Sequence, residues 1–120
     1  MESNACPYCS VSAEDAWISN ELAAAWSHPE PVAPFHVVIA PTRHVATFYE
    51  LDVEEQNAIW AIIGALQKKL AGEIELVGLD LGFQDGASDR EHTHVHVVPR
   101  MPGTRARLPQ GPEWVFSENW

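Results

Sequence analysis

The chain has 120 residues and a formal net charge of −10 with histidine neutral. One domain of this length holds a real core and leaves little room for a second, and so acidic a chain excludes a broad basic surface for a nucleic-acid polymer. No apolar run approaches the about 18 residues of a membrane span, and the polar start Met1-Glu2-Ser3-Asn4-Ala5 is not a signal peptide, so the expected compartment is cytoplasmic.

The only cysteines lie in Cys6-Pro7-Tyr8-Cys9. A lone C-x-x-C is read either as a redox pair or as half of a zinc site. A redox pair precedes the helix of a βαβ unit, whereas residues 13–19 look like the start of a strand, which favours zinc. Without an export signal a structural disulfide is not expected. Residues 16–19 and 22–26 read as two short strands around Asn20-Glu21. Residues 28–34 hold Pro29, Pro31 and Pro34 and form a loop. The apolar run 35–40, closed by Pro41, fits a buried strand with His36 near its start. Thr42-Arg43-His44 turns out of it.

Residues 52–70 are the main helix. Asp52 is placed to N-cap and Glu55 to complete a capping box. Ile59, Ile62, Ile63, Leu66 and Leu70 follow the 3.6-residue period. Lys68 and Lys69 fall in the last turn, where the helix dipole favours cations, and Gly72 is placed to cap the end. No chemistry is expected on this helix. Residues 76–84 read as a strand, with Asp85-Gly86 opening a turn and residues 87–91 a short polar link.

Then comes His92-Thr93-His94-Val95-His96-Val97-Val98-Pro99-Arg100. Strict alternation marks a half-buried strand, with Thr93, Val95 and Val97 toward the core and three histidines in a row on the other face. At the usual strand rise the outer two lie about 13 Å apart at the backbone, too far for one metal ion to take all three easily. The row must therefore divide its labour between metal or structure and chemistry. Five of the seven cationic residues, Arg43, Arg90, Arg100, Arg105 and Arg107, lie beside or after the histidine stretches, which suits a small anionic ligand such as phosphate; Arg105 and Arg107 read best as solvated surface. The tail, 104–120, carries Trp114, Phe116 and Trp120, more aromatic surface than a loose tail needs. The fold expected is α+β, a mostly antiparallel sheet of about five strands covered on one face by the 52–70 helix, in a single domain with a core at about 6–103.

His92-Thr-His-Val-His-Val-Val resembles the H-φ-H-φ-H-φ-φ motif of the histidine triad (HIT) superfamily. Residues 34–45 resemble that family's P-G-H-x-L-V-x-P-K-x-H segment, Leu51-Asp52-Val53-Glu54-Glu55 its D-L-x-x-E-E helix start, Gly82-Phe83-Gln84-Asp85-Gly86 its G-x-N/Q-x-G turn, and Pro99-Arg100 its closing pair. The set keeps the family's order and is strongly specific. The resemblance implies a HIT-like fold and a nucleotide hydrolase or nucleotidyltransferase. In it His94 attacks an α-phosphate and becomes a nucleotidyl-histidine, with His96 and His36 beside it. It also implies a structural zinc of the bacterial-type branch on Cys6, Cys9, His44 and His92, a closed Cys₂His₂ set, and a homodimer; the aromatic residues of the tail lead us to expect it at or near the partner's site. His28 falls where many members carry the Asp or Asn that meets the ribose hydroxyls, and Phe35 replaces a usual Gly. Gln84 belongs to the substrate turn. The G-Q-[ST]-V phosphate stretch before the triad is absent; the link is about three residues short, with Ser88 and Arg90 as the evident substitutes. That departure opens a second reading, a non-catalytic nucleotide-binding regulatory module. A third, an enzyme using a metal held by the row itself, is separable by metal analysis.

Overall fold

The computed structural model describes residues 6–10, 16–86, 88 and 90–102. In chain order they form a single helical turn α1 (Pro7–Ser10), strands β1 (Ile18–Ser19), β2 (Ala23–Ser27) and β3 (Val37–Pro41), a 3₁₀ turn at Phe48–Glu50, the long helix α2 (Val53–Ala71), and strands β4 (Gly78–Gln84) and β5 (His94–Arg100). The five strands make one sheet in the order β1-β2-β3-β5-β4, and every neighbouring pair is antiparallel. The α+β reading with one main helix and five strands holds. Strand β5, the last among the described residues, is inserted between β3 and β4, so the histidines it carries have neighbours on both sides.

Helix α2 starts where its cap dictates. The Asp52 side chain accepts from Glu55 N while the Glu55 side chain accepts from Asp52 N, a complete capping box. Ile59, Ile62, Ile63, Leu66 and Leu70 are buried against Ala23, Ala25, Val37, Ile39, Val95 and Val97. Each such side chain contributes about 1.5–3 kcal/mol on burial, so α2 is held by its apolar face more than by propensity. Glu55 is buried as well, but Arg43 closes a two-pronged bond on it at 2.7 and 2.9 Å. That pairing, with the Asp52 N–H, holds its carboxyl down at about 2, and it ties the segment after β3 to the helix.

Several boundaries differ from the sequence reading, β4 among them, which begins at Gly78 rather than at 76; three of them have a cause in the structure. First, β1 is only two residues long. Asn20 ends it by accepting from Leu22 N and Ala23 N through its side chain while donating to Ala58 O on α2. Second, β3 begins at Val37, not Phe35. Phe35 takes φ 68°, the left-handed region that glycine prefers, and His36 N closes a turn onto Ala33 O. Third, β5 begins at His94 rather than His92. Thr93 N bonds Val45 O, and Thr93 Oγ1 donates to Asp85 Oδ1 at 2.7 Å. The segment 92–93 is therefore pinned to the loop after β3 instead of to a strand. Residues 104–120, and with them Trp114, Phe116, Trp120, Arg105 and Arg107, lie outside the described residues, as do residues 13–15 of the stretch after the cysteines.

Candidate functional site

Strand register brings the histidines together. His96 stands between Val38 on β3 and Gly82 on β4, and His94 stands beside Gln84. His36 enters just ahead of β3 and His28 just after β2. Both flank His96, with ring centroids 5.2 and 5.3 Å away. His94 and His96 meet edge to face at 4.9 Å. Val95 and Val97 point the other way, into the core.

Backbone partners fix which nitrogen of each ring carries the proton, because a carbonyl only accepts and an amide N–H only donates. His94 Nδ1 lies 2.9 Å from His92 O and so carries its proton, leaving the lone pair on Nε2. That Nε2 is buried and has no hydrogen-bond partner among the described residues. A buried polar atom left so costs about 1–3 kcal/mol and is best explained by a ligand that meets it. His36 Nδ1 accepts from Val32 N at 3.1 Å, so its Nε2 holds a proton and donates to His96 Nδ1 at 3.0 Å. The proton of His96 is then on Nε2. The result is a relay from Val32 N–H through His36 to His96. It ends in a ring that offers a donor beside a ring, His94, that offers a lone pair.

The electrostatics keep the row neutral. Burial, then the charge His28 would carry, lowers His36 to about 4. Burial, then the neighbouring His94, His36 and His28, lowers His96 to about 2. His94 is lowered by burial as well, against the opposing pull of its bond to His92 O and of the Glu91 and Asp85 carboxylates. A neutral imidazole with a fixed tautomer is a competent nucleophile; an imidazolium is not.

The second cluster lies at the N-terminal end of β5. Cys6, Cys9, His44 and His92 lie close enough together to hold a metal ion. His92 Nδ1 is 3.4 and 3.5 Å from the Cys6 and Cys9 sulfurs, and His44 Nδ1 is 3.1 Å from Cys9 Sγ. A tetrahedral centre with ordinary Zn–S and Zn–N bonds would set such pairs about 3.6 Å apart. His92 Nε2 donates to Pro41 O at 2.8 Å, which turns its Nδ1 lone pair on the sulfurs, the outer bond that a metal-ligating histidine commonly makes. His28, His36 and His96 also approach one another within ligand range, but two of them cannot serve a metal. His28 Nδ1 accepts from Glu30 N, as His36 Nδ1 does from Val32 N. Each neutral ring has one lone pair, and both are taken.

The substrate-side candidates divide. Gln84 sits at the end of β4, paired with His94. His28 stacks on His36 at 4.4 Å with the planes 11° apart. Ser88 and Arg90 are exposed, and Ser88 spends its hydroxyl and carbonyl on its own turn, toward Arg90 N and Glu91 N. Two residues at the site escaped sequence reasoning. Asp85 ties the 3₁₀ turn to the triad segment by accepting from both Phe48 N and Thr93 Oγ1. Tyr8 lies with its ring 4.4 Å from that of His94, 25° from parallel. Tyr8 had a signal, an aromatic residue inside the C-x-x-C; Asp85 looked like an ordinary turn former.

The family model described as HIT domain matches residues 10–103. The chain belongs to the HIT domain family. Among curated relatives it is 28% identical over 100 residues to the "Bifunctional bis(5'-adenosyl)-triphosphatase/adenylylsulfatase FHIT" of Arabidopsis thaliana, covering 81% of this chain and 55% of that one. It is 27% identical over 93 residues to the "Bis(5'-adenosyl)-triphosphatase" of Dictyostelium discoideum, covering 75% and 62%. The chain thus spans a little over half the length of these relatives. Among solved structures, a HIT family protein from Bacillus anthracis superposes with a TM-score of 0.72 at 19% identity, covering 88% of this chain and 79% of that one, which bears on the fold alone. No helix among the described residues is long and apolar enough to cross a membrane.

Proposed function

We propose that this protein is a HIT-type nucleotide hydrolase or nucleotidyltransferase that cleaves at the α-phosphate of a dinucleoside polyphosphate or a nucleoside phosphoramidate. The observation that carries this reading is the buried His94 Nε2, a lone pair fixed by the Nδ1–H bond to His92 O and lacking a partner among the described residues. Its lone pair forms an Nε2–P bond as the bond from phosphorus to the leaving group breaks, the electron pair departing with that group. Water then attacks phosphorus, the Nε2–P pair returns to the ring, and the nucleoside monophosphate leaves. His96 Nε2–H, held by the His36 relay, is placed to donate to the phosphate or the departing atom. Gln84 and His28 are assigned to substrate contact. The curated relatives named as bis(5'-adenosyl)-triphosphatases support the substrate class.

Cys6, Cys9, His44 and His92 are assigned to a structural zinc, as in the bacterial-type branch. When bound it would supply no reaction chemistry, because four protein ligands close the tetrahedron; it would clamp the N-terminal segment to the base of the triad. A cytoplasmic homodimer of single-domain chains completes the proposal. Among the described residues strand β4 is a sheet edge, and its exposed Phe83 lies beside exposed Trp60 of α2, with Phe48 against both. An open edge with an aromatic patch is a surface that proteins cover. Expected by the same reading, the tail would pack at or near the partner's site.

One observation favours the second reading, a regulatory nucleotide-binding module: the turn that stands in for the phosphate loop leaves Ser88 and Arg90 exposed. Incubation with diadenosine and diguanosine polyphosphates and with AMP and GMP phosphoramidates separates the two. Release of AMP or GMP supports the enzyme, with turnover slowed by the missing loop contacts; tight binding without release across the panel supports the module.

A further inference from the structure

The C-x-x-C segment does more than offer two sulfurs. Its third residue, Tyr8, lies face-on against His94, ring centroids 4.4 Å apart and planes 25° from parallel, and tilts over His92 at 5.7 Å. Tyr8 is half-buried and His94 is buried, so little water screens the contact. Stacking covers the face of the imidazole and leaves its in-plane edge, where Nε2 lies, for the phosphorus. The metal cluster and the row are therefore joined twice. His92 supplies a metal-facing Nδ1 and the carbonyl that holds His94 Nδ1–H, and the helical turn α1 supplies, in Tyr8, the ring that stacks on His94.

We propose that Tyr8 is a positioning residue for His94 that stabilises the nucleotidyl-imidazolium by a cation–π contact formed when the row reacts. This role rests on the reaction proposed above. In the resting state His94 is neutral, with its proton on Nδ1. When the Nε2 lone pair forms the bond to phosphorus and the leaving group departs with the electrons of its own bond, the ring keeps Nδ1–H and gains a formal positive charge. A charged ring over the face of a phenol is attracted by the quadrupole, where a neutral ring is attracted far less. The contact thus strengthens as the barrier is climbed, which is the condition for it to accelerate the step rather than merely tighten binding. The lost attraction corresponds to about a tenfold slower step.

The test uses the full chain carrying one zinc equivalent, with diadenosine triphosphate as the probe. Wild type is compared with Tyr8→Phe, Tyr8→Leu and a protein with pentafluorophenylalanine at position 8, which keeps the ring's shape and reverses its quadrupole. The first readout needs no turnover: the carbon-bound ring protons of His94 should be shifted upfield by the Tyr8 ring in wild type and in Tyr8→Phe, and not in Tyr8→Leu. The second is the rate at which the nucleotidyl adduct forms at saturating probe, followed by quenched mass spectrometry. Tyr8→Phe should stay within about twofold of wild type, while the leucine and pentafluoro proteins fall about tenfold with KM within about twofold. If Tyr8→Leu does not fold or hold zinc, the pentafluoro protein decides. A pentafluoro protein as fast as wild type, or a Tyr8→Phe protein as slow as the pentafluoro one, overturns the cation–π role while leaving the reaction standing. No adduct on wild type overturns the reaction itself, and this role with it.

Discussion

Lowering the pH from 7 to 5 should destabilise the protein steeply, with the buried histidines responsible. An unfolded histidine binds its proton near pH 6.5. In the folded chain burial holds His36 down at about 4 and His96 at about 2, and both are almost wholly buried. Between these values the unfolded state binds more protons than the native one, so stability rises with pH and is lost as pH falls. Near pH 5 the difference approaches two protons, on the order of 2 kcal/mol per pH unit. His28, His92 and His94 are lowered too and act with the same sign. The carboxylate effect of Glu55, held at about 2, enters only below about pH 4.5, outside this window. Urea midpoints at pH 7, 6, 5.5 and 5, at constant zinc, measure the slope. His96→Asn should remove about one proton from it, on the order of 1.4 kcal/mol per pH unit, whatever it does to stability at pH 7. Because both proteins carry the same metal ligands, the metal's own pH dependence cancels. A wild-type midpoint flat from pH 6.5 to 5, or an unchanged slope in His96→Asn, would refute the reasoning.

Purified protein should carry about one zinc per chain, and Cys9→Ala should lose the metal and more than about 2 kcal/mol of stability, since structural zinc binding is folding free energy; metal-free wild type that melts unchanged would sink the assignment. Phe35→Gly should leave stability equal or raise it by a few tenths to about 1 kcal/mol, because relief of the left-handed strain at φ 68° exceeds the entropy glycine adds to the unfolded chain; a loss above about 1 kcal/mol in thermal or urea unfolding would mean the Phe35 ring is packed after all. In His36→Ala the bond from His36 Nε2 to His96 Nδ1 is lost, so kcat should fall by about tenfold to a hundredfold in steady-state assays; unchanged kcat would remove His36 from the site.

Much of this was legible in the residues themselves. Helix α2 announced its cap, its apolar face and its basic last turn, and each stands where the pattern put it, because local hydrogen bonds and one buried face decide it. The alternation at 92–97 gave the strand and the facing of Val95 and Val97. It did not give where the strand begins, because Thr93 is held by Val45 and Asp85, partners that only the folded chain brings near. The four-residue Cys-His cluster follows from the family resemblance; the fold brings its sulfurs and nitrogens to a 3.1–3.5 Å spacing. Tautomers were only half readable. The spacing puts His94 two residues after His92, within reach of the His92 O that takes its proton, whereas the Val32–His36–His96 relay depends on a turn at Ala33–His36 that Phe35 makes possible by going left-handed. Arg90 is read as a phosphate contact from its charge and its place in the short link before the triad, and in the structure it is exposed in its turn. The same turn explains Gly86, where a side chain would collide with Glu91.

The most direct measurement is intact-protein mass spectrometry on samples quenched within seconds of mixing with diadenosine triphosphate. Wild type should gain the mass of one adenylyl group, His94→Ala should gain none, and peptide mapping should put the group on His94. Equal adduct on His94→Ala, or full turnover by that variant, would contradict His94 as the nucleophile.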